Sequence, residues 1–130
     1  MLNYNAMQQL QIYIVEDEPI MAHALKRMVF NMGHQVCGVA ESYEEAITDM
    51  RILPIDLVIT DIMIKGPETG IDLAKYINHN IHVPFIFQSS ITCADLIKKA
   101  FKTKPNGFLQ KPVSKAALAQ AMLLIPALQH

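Results

Sequence analysis

The sequence has no tryptophan and only two cysteines in 130 residues, and its charges nearly cancel, leaving a formal −1. Cys37 and Cys93 stand far apart, in no CxxC or metal-type spacing, which argues against a disulfide framework and against a zinc module. Each lies in or beside an apolar stretch, where a free thiol behaves as a small hydrophobe, so a reduced compartment is expected. A balance so close to neutral gives no field that would gather nucleic acid or anionic lipid. The local cluster Lys98, Lys99, Lys102 and Lys104 reads as a solvated helix face. No apolar run approaches the ~20 residues needed to cross a bilayer, and the opening MLNYNAMQQL lacks the basic start and apolar core of an export signal. A cytoplasmic chain with no direct nucleic-acid partner and no membrane partner is the expectation.

What the chain does have is apolar mass. Hydrophobic residues make up 52% of it against 18% charged, and its length suits one domain with one real core. Short apolar runs at 11–15, 35–40, 55–60, 84–88 and 107–109 are too short and too continuous for amphipathic helices, so they read as strands. The run LVIT at 57–60 is apolar on both faces, as a parallel strand covered by helices on each side must be.

Between the strands lie segments with helical spacing. The first carries Met21, Ala24, Leu25, Met28, Val29 and Met32 on one stripe, with Pro19 in its first turn and Gly33 to stop it. The second opens on Ser42 with Glu45 placed to reach back, and the third on Thr69 with Asp72 in the same role. A fourth spans about 91–102, and a fifth begins at Ser114. Five strand-helix units with no linker or repeat imply an α/β doubly wound, five-stranded parallel sheet of order 2-1-3-4-5, with helices on both faces.

In that order the first and third strands are neighbours, and ligands bind beyond their carboxyl ends. The first strand ends in Glu16-Asp17 and the third in Asp61, so three carboxylates face one crevice. A single Asp after a strand is commonly a turn former, but three mutually repelling acids at that place call for a hard cation such as Mg2+. Glu18 reads as an exposed helix-start acid. The fourth strand delivers Ser89-Ser90 and the fifth delivers Lys111 to the same rim. Carboxylates, a hydroxyl and a lysine together suit the binding of a phosphoryl group on Asp61. Gln88, a polar residue near the end of the fourth strand, has no role that the pattern explains.

The stretches IYIVEDEP, DLVITDIMIKGPETGIDLA, VPFIFQSS and GFLQKPV resemble the receiver domain of two-component response regulators, whose fold is flavodoxin-like. The resemblance implies a receiver domain over 11–128, after an N-terminal extension over 1–10. It implies that Asp61 is the phosphoacceptor, Asp17 a direct Mg2+ ligand, Glu16 a ligand largely through water and Met63 a ligand through its backbone carbonyl. Ser89 takes the place of the switch hydroxyl and Phe108 that of the switch aromatic, while Lys111 would contact the phosphoryl oxygens. The Lys111-Pro112 bond is expected to be cis. Glu16 stands where Asp is usual, Ser89 where Thr is frequent, and Phe108 where Tyr is commoner. A sensor histidine kinase or a histidine phosphotransfer protein would be the phosphoryl donor, to a signalling domain rather than an enzyme.

The final helix adds a separate observation: after Lys115 the sequence AALAQAMLLIPALQH carries no Asp, Glu, Lys or Arg. Either a partner buries it or an alanine-rich face is exposed with the leucines inward. In the family the surface of helix four, strand five and helix five is the usual output face, so a homodimer or an output partner is expected there. Three rival readings are weaker. A receiver-like interaction module working without phosphate would not need the acids, hydroxyl and lysine that are all present. A haloacid-dehalogenase-type phosphatase wants a second Asp two residues after Asp61, where Met63 stands, and KGPETG lacks the lysine of a phosphate loop. His79 and His82, in NHNIH, read as solvated loop histidines.

Overall fold

The computed structural model describes residues 8–129. Strands and helices alternate as β1 (Gln11–Val15), α1 (Pro19–Asn31), β2 (Gln35–Ala40), α2 (Tyr43–Met50), β3 (Leu57–Asp61), α3 (Gly70–Tyr76), β4 (Phe85–Ser89), α4 (Ala94–Lys102), β5 (Gly107–Gln110) and α5 (Lys115–Leu123). All four pairings are parallel and the order is 2-1-3-4-5, as expected from the sequence. Every residue of β3 is buried, because α1 and α5 cover one face of the sheet and α2, α3 and α4 the other. Leu25, Val29, Leu118 and Met122 close the first side, and Ala46, Met50, Leu73 and Ala100 close the second.

Local chemistry sets the element ends, and it corrects several sequence-based boundaries. β4 begins after Pro84, which has no N–H to give the ladder. α4 begins at Ala94 rather than near 91, with Cys93 extended before it and the Ile91 N–H donating to Ser89 Oγ at 3.0 Å. On α1 the inward residues are Ala22, Leu25 and Val29, so Ala22 takes the place expected of Ala24. Gly33, at φ 92, ends that helix in a conformation other residues resist. Ser42 caps α2 by accepting from Glu45 N, but Glu45 reaches the N–H of Glu41 at 2.8 Å instead of the cap residue. Thr69 and Asp72 form the full reciprocal box on α3.

The NHNIH segment at 78–82, expected as a loop, is not one: residues 77–81 continue α3 as a π-helical turn that ends at His82 in the left-handed region, with His79 and His82 both exposed. Cys93 is exposed at the N-terminus of α4, so the small-hydrophobe reading holds only for half-buried Cys37. Residues 1–7 of the expected N-terminal extension lie outside the described residues; Leu10 is buried in the core and its N–H donates to His34 Nδ1 at 3.1 Å. Burial keeps the His34 imidazole below its ordinary pKa and therefore neutral.

One close approach ties the fold to the acidic rim. Gly70 N–H donates to the Ile62 carbonyl at 2.7 Å, and a Cβ at Gly70 would stand 1.9 Å from the Asp61 carbonyl oxygen. Neither backbone can yield cheaply, since one opens a helix and the other closes a buried strand. Gly70→Ala is expected to cost on the order of 3 kcal/mol, near the upper end for overpacking, read as a lowered denaturant midpoint with unchanged slope.

Candidate functional site

Parallel strands all point their carboxyl ends at one rim, and β1, β3, β4 and β5 bring Glu16, Asp61, Ser89 and Lys111 there. The Lys111 ammonium lies 2.6 Å from Glu16 Oε1 and 2.7 Å from Asp61 Oδ2, with Glu18 farther out at 3.7 Å. Only 8% of the Lys111 side chain is exposed, so both short contacts are made in a poorly hydrated place. Its backbone is tied to β4, Lys111 N donating to the Ser89 carbonyl at 3.0 Å. The Lys111-Pro112 bond is cis, as the family resemblance implied.

Glu16 is fully buried and held at three points. Besides Lys111, its Oε1 accepts from Gln88 Nε2 at 3.3 Å and its Oε2 accepts from the Glu18 N–H at 3.0 Å. Gln88, unexplained by the sequence pattern, is thereby accounted for: β4 pairs it directly with Asp61 on β3, within reach of Glu16 beyond β1. A polar residue inside the otherwise apolar FIFQS run was the available signal. Asp61 Oδ1 accepts from the Ile62 N–H at 2.7 Å, so its two oxygens are held from opposite sides.

Lys111 thus supplies one counter-charge to the crowded acids, at the rim where the sequence also suggested a bound cation. Among the described residues, no three Asp, Glu, His or Cys side chains converge as a ready-made metal cluster. Asp17 is half-buried beside Glu16 and has no hydrogen-bond or ion-pair partner among the described residues. Met63 follows in the loop after β3, and its carbonyl accepts none of that loop's recorded backbone hydrogen bonds. Ser89 is buried, its Oγ accepting from Ile91 N and its own hydrogen given to no acceptor among the described residues. Phe108 is half-buried on β5, stacked at 5.0 Å on Phe101 of α4 and tilted against Phe87 at 6.1 Å. Glu18 is exposed at the start of α1, as expected.

Electrostatics follow from this packing. Burial pushes the Glu16 carboxyl above the usual carboxylate range, against the opposing pull of Lys111. Burial alone would lower the Lys111 pKa, but its bonds to Asp61 and Glu16 outweigh that and hold the ammonium above its ordinary value. A raised lysine pKa means that its stabilisation is complete at neutral pH and is lost only as pH rises beyond the ordinary lysine range.

A protein-family model described as the response regulator receiver domain matches residues 12–123. The phyllosphere-induced regulator PhyR of Methylorubrum extorquens is 35% identical over 59% of this chain and 29% of its own length. The transcriptional regulatory protein PdtaR of Mycobacterium tuberculosis is 28% identical over 88% of this chain and 55% of its own. The chain thus spans between 29% and 55% of the length of these curated relatives. Among solved structures, the signal receiver domain of a modulated diguanylate cyclase from Desulfovibrio desulfuricans G20 superposes with a TM-score of 0.85 at 28% identity, over 90% of this chain and 93% of that one.

Lys111→Met leaves two buried carboxylates facing each other without a counter-charge. The expected loss at pH 7 is about 3–5 kcal/mol. It shrinks as pH falls and the Glu16 carboxyl, pushed upward by burial, takes up a proton, so urea titrations of both proteins should converge at acid pH; a pH-independent gap would contradict the ion-pair account.

Proposed function

This chain belongs to the response regulator receiver domain family of two-component signalling, and from that we propose that Asp61 is its phosphoacceptor, with residues 11–128 forming the receiver unit after an extension at 1–10. The observation that carries this reading is the Lys111 ammonium 2.7 Å from Asp61 Oδ2 at the carboxyl rim. A phosphohistidine on a sensor histidine kinase or a histidine phosphotransfer protein would approach Asp61 from the solvent side. A carboxylate oxygen of Asp61 attacks phosphorus, the P–N bond breaks, the imidazole leaves with a proton, and an acyl phosphate remains. Lys111 exchanges carboxylate contacts for phosphoryl oxygens, offsetting the charge carried by the transferred group.

The donor chemistry at the rim also suits Mg2+, which takes hard oxygens and keeps several waters. Asp17, Asp61 and the Met63 carbonyl would hold it, with Glu16 acting through water from its fixed position. When bound, Mg2+ adds positive charge beside the phosphoryl oxygens. The same residues would assist loss of the phosphoryl group to water. The site works in a cytoplasmic setting, where kinases of this kind meet their receivers.

The added charge, about −1.5 to −2 at neutral pH for a phosphoryl group, would attract the Ser89 hydroxyl hydrogen. The loop from Ser89 to Ile91 would then move, since Ser89 Oγ also holds the Ile91 N–H. Phe108 would leave its stack on Phe101 for the space vacated beside Ser89, and α4 would follow. Phe101, Leu123 and Leu124 are 53%, 64% and 76% exposed, so α4 and α5 carry apolar side chains that a second copy or an output partner would cover.

Incubation with phosphoramidate and Mg2+ should add one phosphoryl group by intact mass, and Asp61→Ala should abolish it; an adduct that survives the substitution would overturn the assignment. Light scattering over a dilution series should show a dimer that the phosphoryl donor strengthens. A strict monomer at every concentration, with and without donor, would count against self-association through α4, β5 and α5.

A further inference from the structure

Gln88 is only 3% exposed, in a strand that is otherwise apolar but for the terminal Ser89. A carboxamide taken out of water is costly unless it is hydrogen-bonded, and its one side-chain hydrogen bond among the described residues runs from Nε2 to Glu16 Oε1 at 3.3 Å. An ionised carboxylate only accepts, which settles that the amide nitrogen and not its oxygen faces Glu16. β4 and β1 are not neighbours: β3 runs between them, and Gln88 pairs across the ladder with Asp61. The bond therefore links two strands that lie two spacings apart, roughly 10 Å, on either side of the strand that carries Asp61.

Both side chains need their full length for this. At 3.3 Å the contact is already long for N–H···O, so an aspartate at 16 or an asparagine at 88, each shorter by one methylene, would fall out of reach. Glu16 Oε1 has one other donor, Lys111 Nζ at 2.6 Å, while Oε2 takes the Glu18 N–H. When Lys111 turns to the phosphoryl oxygens, Oε1 of a fully buried carboxylate loses its charged partner, and Gln88 is the donor left to it. The long contact then has room to shorten. A bond that tightens only as Lys111 leaves favours the transition state over the resting state, which a bond of constant strength does not.

We propose that Gln88 is a positioning residue for phosphoryl transfer: its Nε2–H keeps Glu16 in place and satisfied while Lys111 Nζ moves from Glu16 Oε1 to the phosphoryl group on Asp61. This role rests on Asp61 as the phosphoacceptor. Gln88 makes no hydrogen bond to Asp61, whose oxygens are taken by Lys111 and the Ile62 N–H, so it acts through Glu16. β4 thereby takes a part in the reaction separate from that of the Ser89 hydroxyl.

The test uses the full chain with phosphoramidate and Mg2+, the adduct counted by intact mass against time and donor concentration. Gln88→Met keeps the length of the side chain and removes the donor. Its maximal rate should fall about tenfold, the worth of one hydrogen bond to a charged group, with the half-saturating donor concentration unchanged. In a Glu16→Asp background, where the carboxylate is out of reach of position 88, Gln88→Met should change the rate by less than about twofold. A general packing defect would slow both backgrounds alike, and that result would overturn the proposal. The side-chain amide signals of Gln88 give a second readout: their slow exchange with solvent should be present without Mg2+ or donor and should persist in the phosphorylated chain. Fast exchange in either state, or an unchanged rate in Gln88→Met, would overturn the role of Gln88 while adduct formation by the native chain leaves the phosphoacceptor reading standing. A native chain that takes up no phosphoryl group would overturn both.

Discussion

One ammonium group holds the carboxyl rim together. Lys111 Nζ stands between Glu16 on the loop after β1 and Asp61 at the end of β3, closer than 3 Å to each. Without it, two buried like charges would sit on neighbouring strands with no compensation, and burial already pushes the Glu16 carboxyl upward. Removing a charge from water is repaid only when its remaining lone pairs find donors, and Gln88 and the Glu18 N–H complete that set. The Glu16 carboxylate is thereby held at every oxygen while buried, and Asp61 is held between Lys111 and the Ile62 N–H.

The sequence made the architecture legible because each strand is short, apolar and bounded by a helix with its own cap. Parallel strands buried on both faces must look like LVIT, and a cap such as Thr69 with Asp72 is a local bond that needs no tertiary context. Boundaries were less visible where a side chain from elsewhere decides them. α4 starts late, after an extended Cys93 and a segment in which Ser89 Oγ accepts the Ile91 N–H, and the π-helical turn after Tyr76 ends in a left-handed histidine. Spacing rules anticipate neither.

The same division holds at the site. Carboxylates at strand ends are visible from pattern plus topology, so Glu16, Asp61, Ser89 and Lys111 could be gathered before any coordinates. Which charge neutralises which could not. The sequence shows three acids and a lysine at one rim; the fold of order 2-1-3-4-5 shows that the lysine from β5 reaches both Glu16 and Asp61. Gln88 stood out as polar, but its role was hidden for the same reason, since its value lies in facing Glu16 across the intervening strand.

The missing side chain at Gly70 also has a mechanical meaning. With the first residue of α3 hydrogen-bonded to Ile62 and pressed against the Asp61 peptide, helix and strand end behave as one riveted joint. A tug on the acid cannot be absorbed there by sliding. Any displacement of the Asp61 strand end would carry the start of α3 with it, because the two backbones leave no room to slip.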